Sequence, residues 1–240
     1  MRFVWSSGTH KGMVRPYNED SIYPEHDGRE DGPLLVAVAD GLGGHACGDV
    51  ASRLAIETAV ATEGTVKNRI KAANQAVWEE SERDPEKAGM GTTLTIAELL
   101  SDGTVNIGHV SDSRAYRLHL GRFRQLTRDH TWVQEQVEAG LLTPEQARIH
   151  PASAIITRAV GLEDSVEVDV LQRKVEEGDR LLLCSDGLTS MITDEHIAEI
   201  LGSEVLSDAV WGLIEAANEA GGLDNISVVL VEAVPDESDD

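Results

Sequence analysis

Three runs of apolar residues each stop at an aspartate. Val36-Ala37-Val38-Ala39 leads into Asp40-Gly41, Ile107-Gly108-His109-Val110-Ser111 into Asp112, and Leu181-Leu182-Leu183-Cys184-Ser185 into Asp186-Gly187. A strand that is apolar at successive positions is buried on both faces, so its sheet needs a layer on each side. Helical periodicity supplies such layers over Asp49–Thr62, Val66–Ser81, Asp194–Leu201 and Ser207–Ala220, with shorter pieces at Thr131–Ala139 and Pro144–Ile149. Further strands are predicted at Phe3–Ser6, at Thr92–Leu100 and Val105–Val110 around the turn Ser101-Asp102-Gly103-Thr104, at Ala115–Leu120 and Phe123–Leu126 around Gly121, and at Val166–Leu171 and Ile226–Val231. Strands that arrive as hairpins and meanders predict antiparallel sheets with helices outside, an α+β layered architecture. They argue against a doubly wound dinucleotide fold.

A fourth aspartate, in Asp224-Asn225, stands at the start of a predicted strand. In antiparallel sheets the start of one strand and the ends of its neighbours share an edge, so these carboxylates can converge. Gathered carboxylates repel, and without counter-charge they keep protons. A hard divalent cation relieves this: carboxylates, backbone carbonyls and water describe a Mg²⁺ or Mn²⁺ site. Two cations bridged by one Asp can hold an attacking water beside a phosphoryl oxygen. The plain alternative is that Asp-Gly is a turn signal, as at Asp102-Gly103. Repetition at the ends of apolar strands favours the ligand reading. The chain has no EF-hand loop, zinc helix, P-loop or nucleophile elbow.

Twenty basic against 43 acidic residues give a net charge of −23. Such a chain is a poor partner for nucleic acid or an anionic membrane, which need a positive face. No apolar run is long enough to cross a bilayer, and Met1 to Gly8 lacks the pattern of a secretory leader. Two cysteines, Cys47 and Cys184, make neither a disulfide framework nor a zinc site. These features predict a cytoplasmic protein. Its 240 residues show no repeat or linker, which predicts one domain over residues 1–234 and an acidic tail over 235–240.

Several segments, taken in order, carry a family resemblance. Residues 9–20 read THKGMVRPYNED, 38–45 VADGLGGH, 48–52 GDVAS, 89–94 GMGTTL and 109–116 HVSDSRAY. They are followed by 126–131 LTRDHT, 156–161 ITRAVG, 184–188 CSDGL and 222–227 GLDNIS. The chain resembles the metal-dependent Ser/Thr protein phosphatases of the PP2C (PPM) type, in their compact bacterial form. The resemblance implies a four-layer αββα sandwich with a two-metal centre at one edge, holding Mn²⁺ or Mg²⁺ with a third, weaker ion beside them. It implies Asp40 as the carboxylate bridging both metals, with Gly41 lending its carbonyl to one. Asp186 and Asp224 hold the other metal, and Asp112 the third, shared with Asp186. Glu19 and Asp20 lie around the metal waters, Asp20 one layer out. Arg15 matches the arginine that grips the substrate phosphate, a role suited to a planar fork of donors.

The implied reaction is hydrolysis of phosphoserine or phosphothreonine in proteins by direct attack of a metal-bridging water, with Asp40, Asp186 and Arg15 as its core. Cys184 need not be a nucleophile. The implied partners are phosphorylated proteins and a Ser/Thr protein kinase, with the phosphatase itself a monomer. Three departures stand out. Leu42 occupies a position where many eukaryotic members have His, which leaves the general acid open, with His45 a nearby candidate. Ser111 stands where Gly is usual before Asp112, and Cys47 where a smaller residue is common. Val133–Arg158, with Gly140, Pro144 and Pro151, reads as the flap beside the cleft. Other readings of the same residues are a non-catalytic regulator, a small-molecule phosphomonoesterase and a calcium-binding protein.

Overall fold

A computed structural model describes residues 1–42, 47–203 and 205–235. One antiparallel sheet has the order β3 (Gly28–Glu30), β1 (Arg2–His10), β12 (Ile226–Val234), β11 (Arg180–Cys184), β8 (Arg114–His119), β9 (Arg122–Gln125). The second has the order β10 (Asp169–Lys174), β7 (Thr104–Val110), β6 (Leu94–Leu99), β4 (Leu34–Leu42), β2 (Asp20–Tyr23), and short β5 (Gly91–Thr92) pairs with β4. Helices α1 (Gly48–Ala61) and α2 (Val66–Arg83) cover the second sheet. α5 (Asp186–Thr189), α6 (Asp194–Ser203) and α7 (Leu206–Glu219) cover the first. Helices α3 (Trp132–Glu138) and α4 (Pro144–Arg148) form a separate hairpin. The α+β, four-layer αββα reading holds.

The strands lack a polar face because each parity faces a different core. Val36, Val38, Leu181, Leu183, Val229 and Val231 pack between the sheets with Phe3, Leu99 and Ile107. Their neighbours Ala37 and Ala39 face Ala51, Ala55 and Ala59 of α1, while Leu182, Cys184, Val228 and Leu230 face Leu213, Val210 and Ala209 of α7. Alanine on both sides lets α1 lie close to β4, the strand that carries Asp40 near its end.

One predicted strand is displaced. Val166–Leu171 becomes β10 at Asp169–Lys174, paired with β7 from Asp169 opposite His109 to Lys174 opposite Thr104. Val166 and Val168 instead pack into the layer beneath α1 and α2. The ladder therefore begins where the chain reaches the sheet edge, and that edge is polar, as exposed edges tend to be.

Candidate metal centre

Strand pairing gathers the acidic residues. Asp20 at the start of β2 sits opposite Asp40 near the end of β4. β11 runs antiparallel to β12, so Asp186, two residues past β11, meets Asp224, two residues before β12. Asp112 follows β7 by the same spacing. The Asp40 and Asp186 side chains lie within hydrogen-bond reach of one another, and Asp20, Asp112 and Asp224 are close enough to act on Asp40 electrostatically.

Two glycines show why the Asp-Gly pairs here are more than turns. A Cβ on Gly41 would lie 2.1 Å from the Gly48 carbonyl oxygen and 2.7 Å from that of Glu19. A Cβ on Gly187 would lie 1.9 Å from the Asn225 carbonyl oxygen. Both are fixed by close backbone approach. Asp102-Gly103, by contrast, is a hairpin turn in which Asp102 Oδ1 accepts from the Thr104 N–H at 2.8 Å.

The electrostatics are those of crowded like charges. Burial first, then Asp20, Asp186, Asp112 and Asp224, hold the Asp40 carboxyl well above the usual carboxylate range. Burial, with Asp186 contributing, pushes both Asp20 and Asp112 up to about 7. Burial and Asp224 raise Asp186. Asp20 Oδ1 and Asp186 Oδ1 are buried without a hydrogen-bond partner. The donor set is all oxygen, which suits a hard divalent cation. Among the described residues no group of three or more Asp, Glu, His or Cys side chains is by itself arranged to hold a metal ion. A cation held here would complete its coordination with backbone carbonyl, as at Gly41, and water. On this test the residues fit Mn²⁺ or Mg²⁺.

Arg15 lies at the rim. Its Nη2 donates to Asp224 Oδ2 at 2.7 Å, and its side chain is 49% exposed. Asp224, then Glu19 and Asp40, raise its pKa further. Its hydrogen-bonded counter-charge is thus Asp224. Glu19 acts through its backbone: its carbonyl accepts from the Gly41 N–H at 3.1 Å and from Ser52 Oγ at 2.6 Å. Asp20 takes a hydrogen bond from Ser185 Oγ at 2.8 Å. His45 falls outside the described residues. Cys184 is fully buried, and burial pushes its thiol up to about 12, so it is no nucleophile.

Sequence reasoning missed the residues that hold this rim in place. Asn225 Oδ1 accepts from the Glu19 N–H at 2.8 Å, while its Nδ2 donates to the carbonyls of Lys11 at 2.9 Å and Tyr17 at 2.8 Å. One amide thus pins both ends of the loop bearing Arg15. Thr93 brackets Asp40, its Oγ1 accepting from the Asp40 N–H at 2.8 Å and its N–H donating to the Asp40 carbonyl at 2.9 Å. The GTT and DN segments were visible; a polar residue at the edge of an apolar strand was the available signal.

The α3–α4 hairpin borders the centre. Val133, Val137, Pro144 and Ala147 line a cavity of 430 Å³ that reaches Asp112 and Asp186. Arg114 crosses its floor, gripping Asp129 through Nε and Nη2.

A family model described as Protein phosphatase 2C matches residues 8–210. The serine/threonine protein phosphatase PstP of Mycobacterium tuberculosis is 38% identical over 239 residues, covering 96% of this chain and 45% of PstP; the chain thus spans about half the length of that relative. The serine/threonine phosphatase stp of Listeria monocytogenes is 39% identical over 240 residues, covering 93% of each. A crystal structure of the M. tuberculosis phosphatase PstP/Ppp superposes with a TM-score of 0.90 at 37% identity, over 98% of this chain and 100% of that one. The PstP catalytic domain in complex with two manganese ions gives 0.87 at 36% identity, with the same coverage. Likeness of this extent, in sequence and in architecture alike, places the chain in the protein phosphatase 2C family.

Proposed function

We propose that this chain hydrolyses phosphoserine and phosphothreonine in proteins by direct attack of water, with no covalent phospho-enzyme. The observation that carries the reading is the crowded carboxylate rim of Asp40, Asp186, Asp224, Asp112 and Asp20, with Arg15 at its mouth. Two divalent cations, Mn²⁺ or Mg²⁺, would supply charge neutralisation and an acidified water there. Asp40, central to the cluster, would be shared between them; the Gly41 carbonyl would serve one, Asp186 and Asp224 the other, and Asp112 a third. Asp20, fixed by Ser185, and Glu19, fixed by Asn225, hold the surrounding water.

Arg15 binds the phosphate. Asp224 engages one edge of its guanidinium, which carries five donors, and the half-exposed remainder faces incoming substrate. Charge building on the phosphoryl oxygens in the transition state meets this cation. The reading extends to a monomeric, cytoplasmic enzyme opposing a Ser/Thr protein kinase. Among the described residues no helix is long and apolar enough to cross a membrane.

The deciding assay is phosphate release from phosphopeptides, p-nitrophenyl phosphate, sugar phosphates and nucleotides, with Mn²⁺ or with chelator. Mn²⁺-dependent turnover that favours phosphopeptides is expected. Preference for sugar or nucleotide phosphates would make the chain a small-molecule phosphomonoesterase, and turnover undiminished by chelator would end the metal reading. Tight Ca²⁺ binding with no turnover would leave a binding protein.

A further inference from the structure

Two non-glycine residues among those described adopt a positive φ. Leu120 (φ 47°) lies in the exposed β8–β9 hairpin. The other is Ser111 (φ 87°), fully buried between the end of β7 and Asp112. A side chain is disfavoured in this left-handed region, and such a residue persists only where its surroundings hold it. Ser111 is held at both of its backbone polar groups by one residue. The His130 N–H donates to the Ser111 carbonyl at 2.8 Å, and the Ser111 N–H donates to His130 Nδ1 at 3.0 Å.

The His130 ring is itself fixed. Because Nδ1 accepts, the ring hydrogen of the neutral imidazole sits on Nε2, which faces Asp169 Oδ2 at 3.2 Å. Arg158 Nη1 donates to Asp169 Oδ1 at 3.0 Å and lies 3.3 Å from Nε2. His109 lies on the ring at a centroid distance of 4.9 Å. The His130 carbonyl accepts from the Thr157 N–H at 2.7 Å, and Thr131 bridges to Ile156. The same residue therefore closes the base of the α3–α4 hairpin.

We infer that His130 is a positioning residue for Asp112: it clamps the left-handed turn at Ser111 and so fixes the direction in which the Asp112 carboxylate leaves β7. A glycine at this position would adopt the turn without help. With serine there, the clamp must impose the turn, and Asp112 depends on it. The consequence for cation binding rests on the function proposed above; the clamp itself does not.

Two side-chain amides separate the halves of this histidine. Asparagine places its carbonyl oxygen where Nδ1 sits and keeps an acceptor for Ser111; glutamine reaches only the Nε2 end. Amide exchange at Ser111 would be followed by NMR in the cation-free protein, and Mn²⁺ binding by titration under electron paramagnetic resonance. His130→Ala and His130→Gln should speed Ser111 exchange by about 100-fold or more, since its one partner is gone, whereas His130→Asn should stay within about fivefold. The weakest Mn²⁺ site should lose about five- to tenfold in affinity in His130→Ala, yet less than about twofold when the same change is made on Ser111→Gly.

Ser111 exchange as fast in His130→Asn as in His130→Gln would overturn the clamp. So would a His130→Ala loss of Mn²⁺ affinity that is the same with Gly at 111 as with Ser. Should His130→Ala not fold, the asparagine and glutamine pair decides alone. If Asp112→Ala leaves Mn²⁺ binding unaltered, the cation role of Asp112 fails, while Ser111 exchange still tests the clamp.

Discussion

Asp186 shows how a single residue can serve function at the expense of stability. Its Oδ1 is buried without a partner, and burial and Asp224 both disfavour its charge. Removing that charge relieves repulsion in the cation-free protein. Asp186→Asn should therefore raise cation-free stability by about 1 kcal/mol, the size of gain typical where a function-bound residue is relaxed, while Mn²⁺-dependent turnover falls at least ~100-fold. Denaturation with chelator and phosphatase assays with Mn²⁺ read the two effects separately; a variant weakened in both would mean Asp186 is structural. Arg15 separates differently. Arg15→Ala should raise KM for phosphopeptides about tenfold, an ordinary value for a lost charged hydrogen bond. Arg15→Lys should recover little, because an ammonium cannot bond Asp224 and a phosphate through one planar fork. A KM unchanged in both variants would take Arg15 out of the site. At this scale the aspartates were legible and their supports were not. An apolar run ending in Asp is a local pattern, whereas Asn225 acts on Lys11 and Tyr17, more than 200 positions away.

Among the elements, the long ones were legible and the short ones were not. Repeated apolar periods mark α1, α2, α7, β4 and β11 whatever lies around them. The four residues of β2, Asp-Ser-Ile-Tyr, carry no such repeat; they form a strand because β4 offers an edge, and that pairing sets Asp20 opposite Asp40. The one turn of α5 likewise follows from the close pass of Gly187 by Asn225. Half of the rim is therefore positioned by contacts distant in sequence. Asn225 tests this directly. It is 3% exposed and meets one N–H and two carbonyls, none of which an alanine side chain could reach. Asn225→Ala should cost on the order of 1–2 kcal/mol, from three part-buried hydrogen bonds lost at once. It should also raise KM, because the loop bearing Arg15 loses both tethers. Equilibrium unfolding and steady-state kinetics check the two parts, and a stability loss with KM intact would break the link between tether and Arg15.

Across the whole molecule two sets of buried titratable groups oppose each other. Burial first, and then His130, push His109 down to about 4, below the value near 6.5 expected in the unfolded chain. Between those values the unfolded state binds more protons. The contribution of His109 is therefore complete above about pH 6.5 and lost as pH falls through 4, at most about 3 kcal/mol in size. His130, also lowered by burial, adds in the same direction. Asp20 and Asp112 behave in the opposite way. Burial raises both to about 7, so their contribution is complete below about pH 4, the unfolded carboxyl value, and lost as pH rises through 7. In the cation-free protein the carboxyls outweigh the imidazoles, because Asp40 and Asp186 are raised as well, so stability should fall between pH 4.5 and 7. Divalent cations neutralise the carboxylate side alone, since neither buried imidazole belongs to the rim. With Mn²⁺ present, stability should climb across the same range, and the gain from Mn²⁺ should be largest at neutral pH, where binding to the folded state is strongest. Urea midpoints measured at each pH with Mn²⁺ and with chelator make the comparison. Two parallel curves would show that the acidic rim and the cation do not interact, which no arrangement of Asp20, Asp40 and Asp112 around a bound metal allows.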